Sequence, residues 1–380
     1  MYTIFLARFV AESPDFFGFP ANFSTSKKVR AIQSCLRKIG VRPLLIVTHV
    51  GDISPRSAVV RKVGNSICII PASGSFLRNR LLIYIYGLLY SSVIVYKLRK
   101  RKRISLFFCW DYLPDTLLPL LLQGAGVLNR TIVDVEESID ADPRASVLFK
   151  AFERIVIRNI SLRAIGNNLS TAKSLGIHFE GIFPGFFANS FVEEQYLIAR
   201  TERKVFQVET IILFSGRIDS VRGASQFVEL AKQFEFDSGI KFIMTGYGNT
   251  DELAIIERRK PTNLTFLPGL PRKDYLDLLF SADIAFNYIS DKNFVSNSFP
   301  SKVVEYLLGA VVVVSNHKVD INSDRFIVRT DLSSIATYIK EYHADRQQWR
   351  KCYQAELVIK EISPYSINNC AKVFRELLNV

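Results

Sequence analysis

The pattern that most limits this chain is an alternation of short apolar runs and amphipathic stretches that starts twice. In the first half, strand-like runs fall at residues 3–10, 43–48, 66–71, 104–109, 131–135 and 163–165. Amphipathic stretches separate several of them. In residues 26–40, for instance, Lys27, Lys28, Arg30, Arg37 and Lys38 flank Val29, Ile32 and Leu36. A polar segment at residues 193–203 reads as a linker, and the alternation then resumes. Strands are expected at 208–215, 241–245, 263–267, 284–287 and 311–315, and helices at 224–234, 251–259, 272–281 and 301–308. Strands and helices alternating at this spacing predict βαβ units on parallel sheets. At 380 residues the chain is too long for one ordinary doubly wound domain. The expectation is an α/β protein of two Rossmann-like domains, residues 1–200 and 201–362, facing each other across a cleft. Ligands of such sheets sit at the carboxyl ends of the strands.

Charge narrows the partners. The 49 Lys and Arg exceed the 36 Asp and Glu, for a net charge of +13. Such a balance favours anionic partners: nucleotide diphosphates, acidic lipid headgroups or nucleic acid. Basic strands interleaved with aromatics are missing, so nucleic acid is not expected. The five cysteines (Cys35, Cys68, Cys109, Cys352, Cys370) and four histidines (His49, His178, His317, His343) are scattered without ligand spacing. That reads as reduced thiols in a cytoplasmic protein with no metal site and no cofactor. Residues 81–98, LLIYIYGLLYSSVIVYKL, are apolar and run into the basic RKRKR at 99–103. The stretch falls short of the about 18–20 clean apolar residues of a spanning helix. A half-buried helix with a basic end is preferred to an interfacial helix on an anionic membrane face, and either to a true span.

Two segments carry chemistry. In IILFSGRIDSVRGASQFVELAKQF, residues 211–234, an apolar strand runs into a Ser-Gly-Arg turn, then a loop with a second Arg and Gly, then a helix. Gly216 and Gly223 permit tight backbone turns. Arg217 and Arg222 beside a helix N-terminus suit a diphosphate, although a solvated βα loop would carry the same arginines. In SNSFPSKVVEYLLGAVVVVSN, residues 296–316, Pro300 and Ser301 open a helix and Lys302 and Glu305 share one face near its start. The amides of Ser301 and Lys302 suit phosphate and Glu305 suits ribose hydroxyls; a simple dipole partner is the plainer reading of Glu305. Gly246 and Gly248 in TGYG close another strand without the third glycine of a dinucleotide fingerprint. In PGLP, residues 268–271, exposed amides would edge a nucleobase, or form a plain turn.

The order SGR…RG, TGYG, FLPGLPRKDYLDLLFSADIAFNY and FPSKVVEYLLGA resembles the C-terminal domain of retaining GT-B glycosyltransferases, of the glycosyltransferase family four type, over about residues 205–320. The first half is similar more loosely, through Gly18 in FFGFPAN, WDYLPDT with Asp111, and VDVEESID with Glu136 and Glu137. The resemblance implies that Arg217 and Arg222 bind the donor diphosphate and Glu305 the ribose; these three are the candidate catalytic residues. Donor contacts would come from Gly18, Gly216, Gly246, Leu270, Phe299, Pro300, Ser301 and Lys302. Asp111, Glu136, Glu137 and Asn297 are weaker candidates for sugar or acceptor. A C-terminal helix, within residues 363–380, would return to the first domain. Two departures stand out: Asn297 replaces the first of the family's usual two glutamates, and Glu136 and Glu137 stand where a histidine is common.

The activity so implied is metal-independent transfer of a sugar from a nucleoside-diphosphate sugar to a hydroxyl acceptor with retention, in bacterial surface polysaccharide synthesis. The acceptor would be a glycan or lipid-linked, presented at the inner face of a membrane. A catalytically inactive scaffold and a sugar-nucleotide epimerase remain as alternatives. The epimerase is disfavoured because no acid–base histidines accompany the motifs.

Overall fold

The structure is a computed structural model that describes residues 2–7, 23–47, 59–63, 66–70, 89, 92–93, 95–97, 106–110, 121–123, 131–135, 147–160, 163–166, 172–173, 175–182, 208–290, 301–317, 326–352, 357, 360 and 363–378. They divide into two units. One takes in the described residues up to Ile182 and those from Ile367 onward; the other runs from Val208 to Ser366.

The first unit is an eight-stranded sheet, ordered β3-β4-β2-β1-β5-β6-β7-β8. The strands are β1 (Tyr2–Ala7), β2 (Arg42–Val47), β3 (Val59–Val63), β4 (Ser66–Ile70), β5 (Leu106–Trp110), β6 (Thr131–Val135), β7 (Arg163–Gly166) and β8 (Phe179–Ile182). Only β3, hairpinned onto β4, is antiparallel. Helix α1 (Phe23–Lys38) joins β1 to β2, and α2 (Val147–Ile160) joins β6 to β7. The buried stripe of α1 includes Ile32, Cys35 and Leu36, the 3.6-residue spacing of a core-facing helix.

In the second unit the strands are β9 (Thr210–Ile218), β10 (Ile240–Gly248), β11 (Leu264–Pro268), β12 (Ile284–Asn287), β13 (Val312–Ser315) and β14 (Ile327–Arg329). They are all parallel, in the order β11-β10-β9-β12-β13-β14. Numbered within the unit this is 3-2-1-4-5-6, the doubly wound order whose direction reverses between β9 and β12. The helices are α3 (Ala224–Lys232), α4 (Thr250–Arg259), α5 (Arg272–Ser281), α6 (Ser301–Leu308), α7 (Leu332–Ala344) and α8 (Arg346–Cys352). The central strands are covered on both faces, so Ile212-Leu213-Phe214 and Val312-Val313-Val314 are unbroken buried apolar runs. Phe227 of α3 packs among the rings of Phe214, Phe242 and Phe286, with centroids 5.4–5.6 Å away.

The last helix, α9 (Ile367–Leu378), belongs to the first unit. It lies against α1: the Cys35 thiol donates to the Ile367 carbonyl at 3.7 Å, and Lys38 Nζ donates to Asn368 Oδ1. Val373 and Leu377 approach so near Gly181 that a Cβ there would meet Val373 at 2.7 Å. Burial, only partly offset by Lys38, pushes the Cys35 thiol up to about 12, so it is an inert core group rather than a nucleophile. The expected linker at 193–203 lies outside the described residues.

Two expectations need correction. The Ser-Gly-Arg segment is not a turn: β9 continues through Ile218 because Gly216 pairs in register with Gly246 of β10. Both glycines take positive φ, 139° and 151°, and a Cβ on Gly246 would lie 1.7 Å from the Gly216 carbonyl oxygen. Two side-chain-free residues let the strands run on together where any other pair would part them. Sequence reading also passed over β3, β8 and β14, which are short or broken by charge (VVRKV, FEGI, IVR). In the 81–98 stretch, Val95 is buried while Leu89, Val93 and Tyr96 are exposed. Among the described residues, no helix is long and apolar enough to cross a membrane.

Candidate functional site

The carboxyl ends of β9 and β12 border the point where the strand order reverses, and the chemistry-bearing side chains of the second unit gather there. After β9 the chain turns through Asp219–Gly223. Gly223 precedes α3 in the left-handed conformation, φ 75°. A Cβ at Gly223 would meet the Tyr288 ring at 2.7 Å, so this loop packs closely on the one that follows β12. Ser290 fastens the two: its amide donates to the Val221 carbonyl (2.8 Å) and its hydroxyl to the Ser220 and Val221 carbonyls (3.0 and 3.1 Å).

Both predicted arginines project from this segment and converge on one carboxylate. Arg217 Nε lies 3.3 Å and Arg222 Nη1 2.5 Å from Asp219 Oδ2, while the Arg222 amide donates to Asp219 Oδ1 at 2.8 Å. Arg217 leaves 60% of its side chain exposed and Arg222 32%. Asp219 therefore orients two cations while neutralising one of them. A pair of forked donors held at a strand end beside a helix N-terminus is suited to a diphosphate.

The α6 residues enter from the other side of Gly216. A Cβ placed there would lie 3.9 Å from Lys302 Cε. Lys302 Nζ donates to Glu305 Oε2 at 2.8 Å, and the Tyr275 hydroxyl donates to the same oxygen at 3.2 Å. The ammonium also lies 4.7 Å from the centre of the Tyr275 ring, a cation–π placement. Beneath them, the Ser215 hydroxyl is 3.2 Å from the Tyr275 hydroxyl and donates to Tyr306 Oη at 3.0 Å. The Ser215 amide donates to Tyr306 Oη at 3.1 Å, and the Tyr306 hydroxyl donates back to the Ser215 carbonyl at 3.2 Å. The strand end that bears Gly216 is thus bolted to α5 and α6 by a polar cluster: Ser215, Tyr275, Lys302, Glu305 and Tyr306.

The electrostatics of this cluster have definite signs. Burial opposes the charge on Lys302, but the Glu305 carboxylate, helped by Tyr275 and Tyr306, outweighs it and raises the ammonium's pKa above its usual range. Burial first, and Glu305 second, hold the Tyr275 phenol above its ordinary value. Tyr306 is raised as well, chiefly by burial. At neutral pH, then, Lys302 stays a cation and both phenols stay protonated donors. Glu305 is almost sealed, with 3% of its side chain exposed, whereas Lys302 keeps 38%. The carboxylate is sealed, while part of the Lys302 side chain stays exposed.

Of the predicted donor residues, Gly216, Gly246 and Lys302 meet at one sheet edge, with Leu270 half-buried just past β11. Gly269 joins them, its amide donating to the Gly246 carbonyl at 3.0 Å. Ser301 is the first residue of α6. Gly18, Asp111, Glu136, Glu137, Asn297, Phe299 and Pro300 lie outside the described residues. Sequence reasoning missed Asp219, Ser215, Tyr275 and Tyr306. No turn or periodicity singles them out; Tyr275 and Tyr306 occupy ordinary core-facing helix positions, and only their hydroxyls betray the cluster.

No family model matches this sequence, and neither does any curated protein. Solved structures do. The trehalose-phosphate synthase (UDP-forming) of Burkholderia vietnamiensis aligns over 100% of this chain and 98% of its own, with a TM-score of 0.67 at 10% identity. HepE of Anabaena, solved in complex with UDP, aligns over the whole of both chains, with a TM-score of 0.66 at 12% identity. The sucrose-phosphate synthase of Thermosynechococcus elongatus also covers both chains completely, with a TM-score of 0.66 at 12% identity. The fold is GT-B. Both sheets take part in that likeness, since each alignment spans the chain. At 10–12% identity the GT-B likeness is one of architecture, and what happens at the β9–β12 edge has to be argued from its own residues.

Proposed function

We propose that this chain is a glycosyltransferase that moves a sugar from a nucleoside-diphosphate sugar to a hydroxyl acceptor. The observation that carries the reading is the convergence of Arg217, Arg222 and Lys302 around a glycine-lined strand end at the reversal point of a doubly wound sheet. The bond from the anomeric carbon to the diphosphate oxygen breaks, and its electron pair goes to the leaving diphosphate. The acceptor oxygen bonds to that carbon and gives up its proton to the departing diphosphate. Arg217 and Arg222 stabilise the charge gathering on the diphosphate, and the Lys302 ammonium beside Gly216 adds to their field. Removing one such contact costs about 2–4 kcal/mol of barrier. Glu305, almost sealed, holds Lys302 in place. The transfer uses no metal and retains configuration, and the setting is bacterial surface polysaccharide synthesis on the cytoplasmic side. HepE was solved with UDP, which makes uridine the first nucleotide to test.

A thermal-shift panel with UDP, GDP, ADP and CMP, run on the parent and on Arg217→Ala, tests the reading. A nucleotide at a hundred times its dissociation constant adds about 2.7 kcal/mol of stability. One diphosphate should stabilise the parent and fail on the variant, with and without EDTA. If none stabilises the parent, the site is not a donor site and the scaffold reading replaces this one. Loss of the shift in EDTA would defeat metal independence alone. Proton NMR of the first product bond formed then reads retention directly.

A further inference from the structure

The first unit turns apolar side chains outward in a regular pattern. On α2, Leu148, Phe152 and Ile155 are 83%, 46% and 59% exposed, and Val147 is 82% exposed. The opposite side of the helix is buried through Val156 and Ile157. In the helical residues of the 81–98 stretch, Leu89, Val93 and Tyr96 are 64%, 51% and 56% exposed, with Val95 buried behind them. Both exposed sets follow the i, i+4, i+7 spacing of one helix face. Leu121, also helical, is 60% exposed. A helix on the outside of an α/β unit ordinarily turns a polar face to water, whereas here large apolar side chains stand on the water side.

Topology puts these faces together. Helix α1 connects β1 to β2, moving one way across the sheet. The connections β4 to β5, β5 to β6 and β6 to β7 all move the other way, and they contain Leu89–Tyr96, Leu121 and α2 respectively. Right-handed crossovers that move in opposite directions lie on opposite faces of a sheet. The three apolar sets therefore share one face, away from α1 and α9, and form the outer surface of a single helical layer.

Charge identifies what covers it. Between Ile53 and Trp110 there are eleven Lys and Arg and no Asp or Glu, in a chain whose whole net charge is +13. Five of the eleven are consecutive, at residues 99–103, one residue past Lys97. Helix α2 also carries more cations than acids, although Arg158 is turned to the Leu175 carbonyl at 3.0 Å. An isologous contact with a second copy would set this positive charge against itself. Apolar and aromatic side chains flanked by cations fit a bilayer surface of anionic lipids, with the helices lying in the interface. We infer that this face of the first unit docks on an anionic phospholipid surface, inserting Leu89, Val93, Tyr96, Leu148, Phe152 and Ile155 among the headgroups. The docking is independent of the glycosyl-transfer reading.

Co-sedimentation of the full chain with phosphatidylcholine vesicles, with or without phosphatidylglycerol, tests it at physiological salt. Two variants accompany the parent: Leu148→Ser/Phe152→Ser/Ile155→Ser, which keeps every charge, and replacement of residues 99–103 by Gln, which keeps every apolar group. The parent should pellet with phosphatidylglycerol vesicles and not with pure phosphatidylcholine. Each cation near such a surface contributes about fivefold in partition, so the Gln variant should lose at least about a hundredfold. The Ser variant should lose at least about tenfold while keeping the parent's melting temperature, since its three positions are exposed. A parent that stays in the supernatant, or a Ser variant that pellets like the parent, overturns the proposal. So does a parent that elutes as a dimer and becomes monomeric in the Ser variant, because the face would then be an interface between copies.

Discussion

The second unit holds two charged pairs at opposite edges of one sheet, and they are built differently. At the amino edge, Asp283 stands just before β12 and receives Arg350 through two bonds, Nε to Oδ1 at 2.8 Å and Nη2 to Oδ2 at 2.9 Å. The Ile211 amide donates to Oδ2 at 2.9 Å and the Tyr342 hydroxyl to Oδ1 at 3.3 Å. Arg350 spans further, donating to the Glu209 carbonyl at 2.7 Å. Both side chains are sealed, at 1% and 0% exposure. At the carboxyl edge, Glu305 is equally sealed but its cation, Lys302, is not. A bidentate pair buried on both sides ties β9, β12 and α8 into one body. In the second pair the cation's side chain is partly exposed, and its sealed counter-ion fixes where the ammonium sits. In the reading proposed above, similar ion chemistry serves architecture at one edge and a nucleotide at the other.

The sharpest way to break this contrast is to remove one partner at the sealed edge. Arg350→Met leaves Asp283 buried and uncompensated, which should cost about 3–5 kcal/mol of stability. The protein that remains folded should still bind nucleotide as the parent does. Chemical denaturation gives the first quantity and titration calorimetry at low temperature the second. If Arg350→Met instead weakens nucleotide binding while the melting temperature holds, the division of labour is wrong. Asp283→Leu combined with Arg350→Met should regain part of the loss, because it removes both buried charges.

Backbone at the ligand edge is the next largest effect. Gly246→Ala puts a Cβ 1.7 Å from the Gly216 carbonyl oxygen at φ 151°, and should cost about 2–4 kcal/mol through clash and strain together. If the proposed donor site lies here, nucleotide binding should fall with stability, unlike at Arg350, because β9 and β10 must part at Gly216. Glu305→Gln comes after it. Lys302 is partly exposed, so solvent screening keeps the stability loss small, about 1 kcal/mol. Turnover should nevertheless fall by about tenfold to a thousandfold, as Lys302 loses its anchor. A Gln variant with parental kcat/KM would make Glu305 a structural partner only.

Sequence alone carried the sheet-and-helix skeleton of the second unit because its strands are covered on both faces and read as unbroken apolar runs; α5, β12 and α6 match the expected bounds to the residue. Arg217, Arg222 and Lys302 were legible because cations beside glycines at strand ends have a direct chemical reading. Asp219 was not, since an acid three residues from an arginine on a loop looks like any solvated charge. Tyr275 and Tyr306 were hidden for a different reason. A phenol in a core-facing helix position is indistinguishable from an apolar residue until its hydroxyl is placed, and Ser215, the group that joins them, is a small polar residue at the end of an apolar run. The Asp283–Arg350 pair spans 67 residues, and no local pattern links positions that far apart.

The smallest effect sharpens the contrast by pH. His317 follows β13 at the ligand edge, its Nδ1 3.3 Å from the Ser315 hydroxyl and 3.1 Å from Asn316 Oδ1. Burial lowers its pKa below the ordinary 6.5. In the unfolded chain the imidazole takes up a proton near pH 6.5, while in the fold it resists until lower pH. The neutral ring's contribution is complete above 6.5 and is lost as pH falls from there through the folded value. The second unit should therefore lose stability between pH 7 and pH 5, and His317→Gln should flatten that slope. Melting curves of the parent and the variant across that range decide the matter: a His317→Gln protein whose slope matches the parent's would take the proton-sensitive group away from this edge.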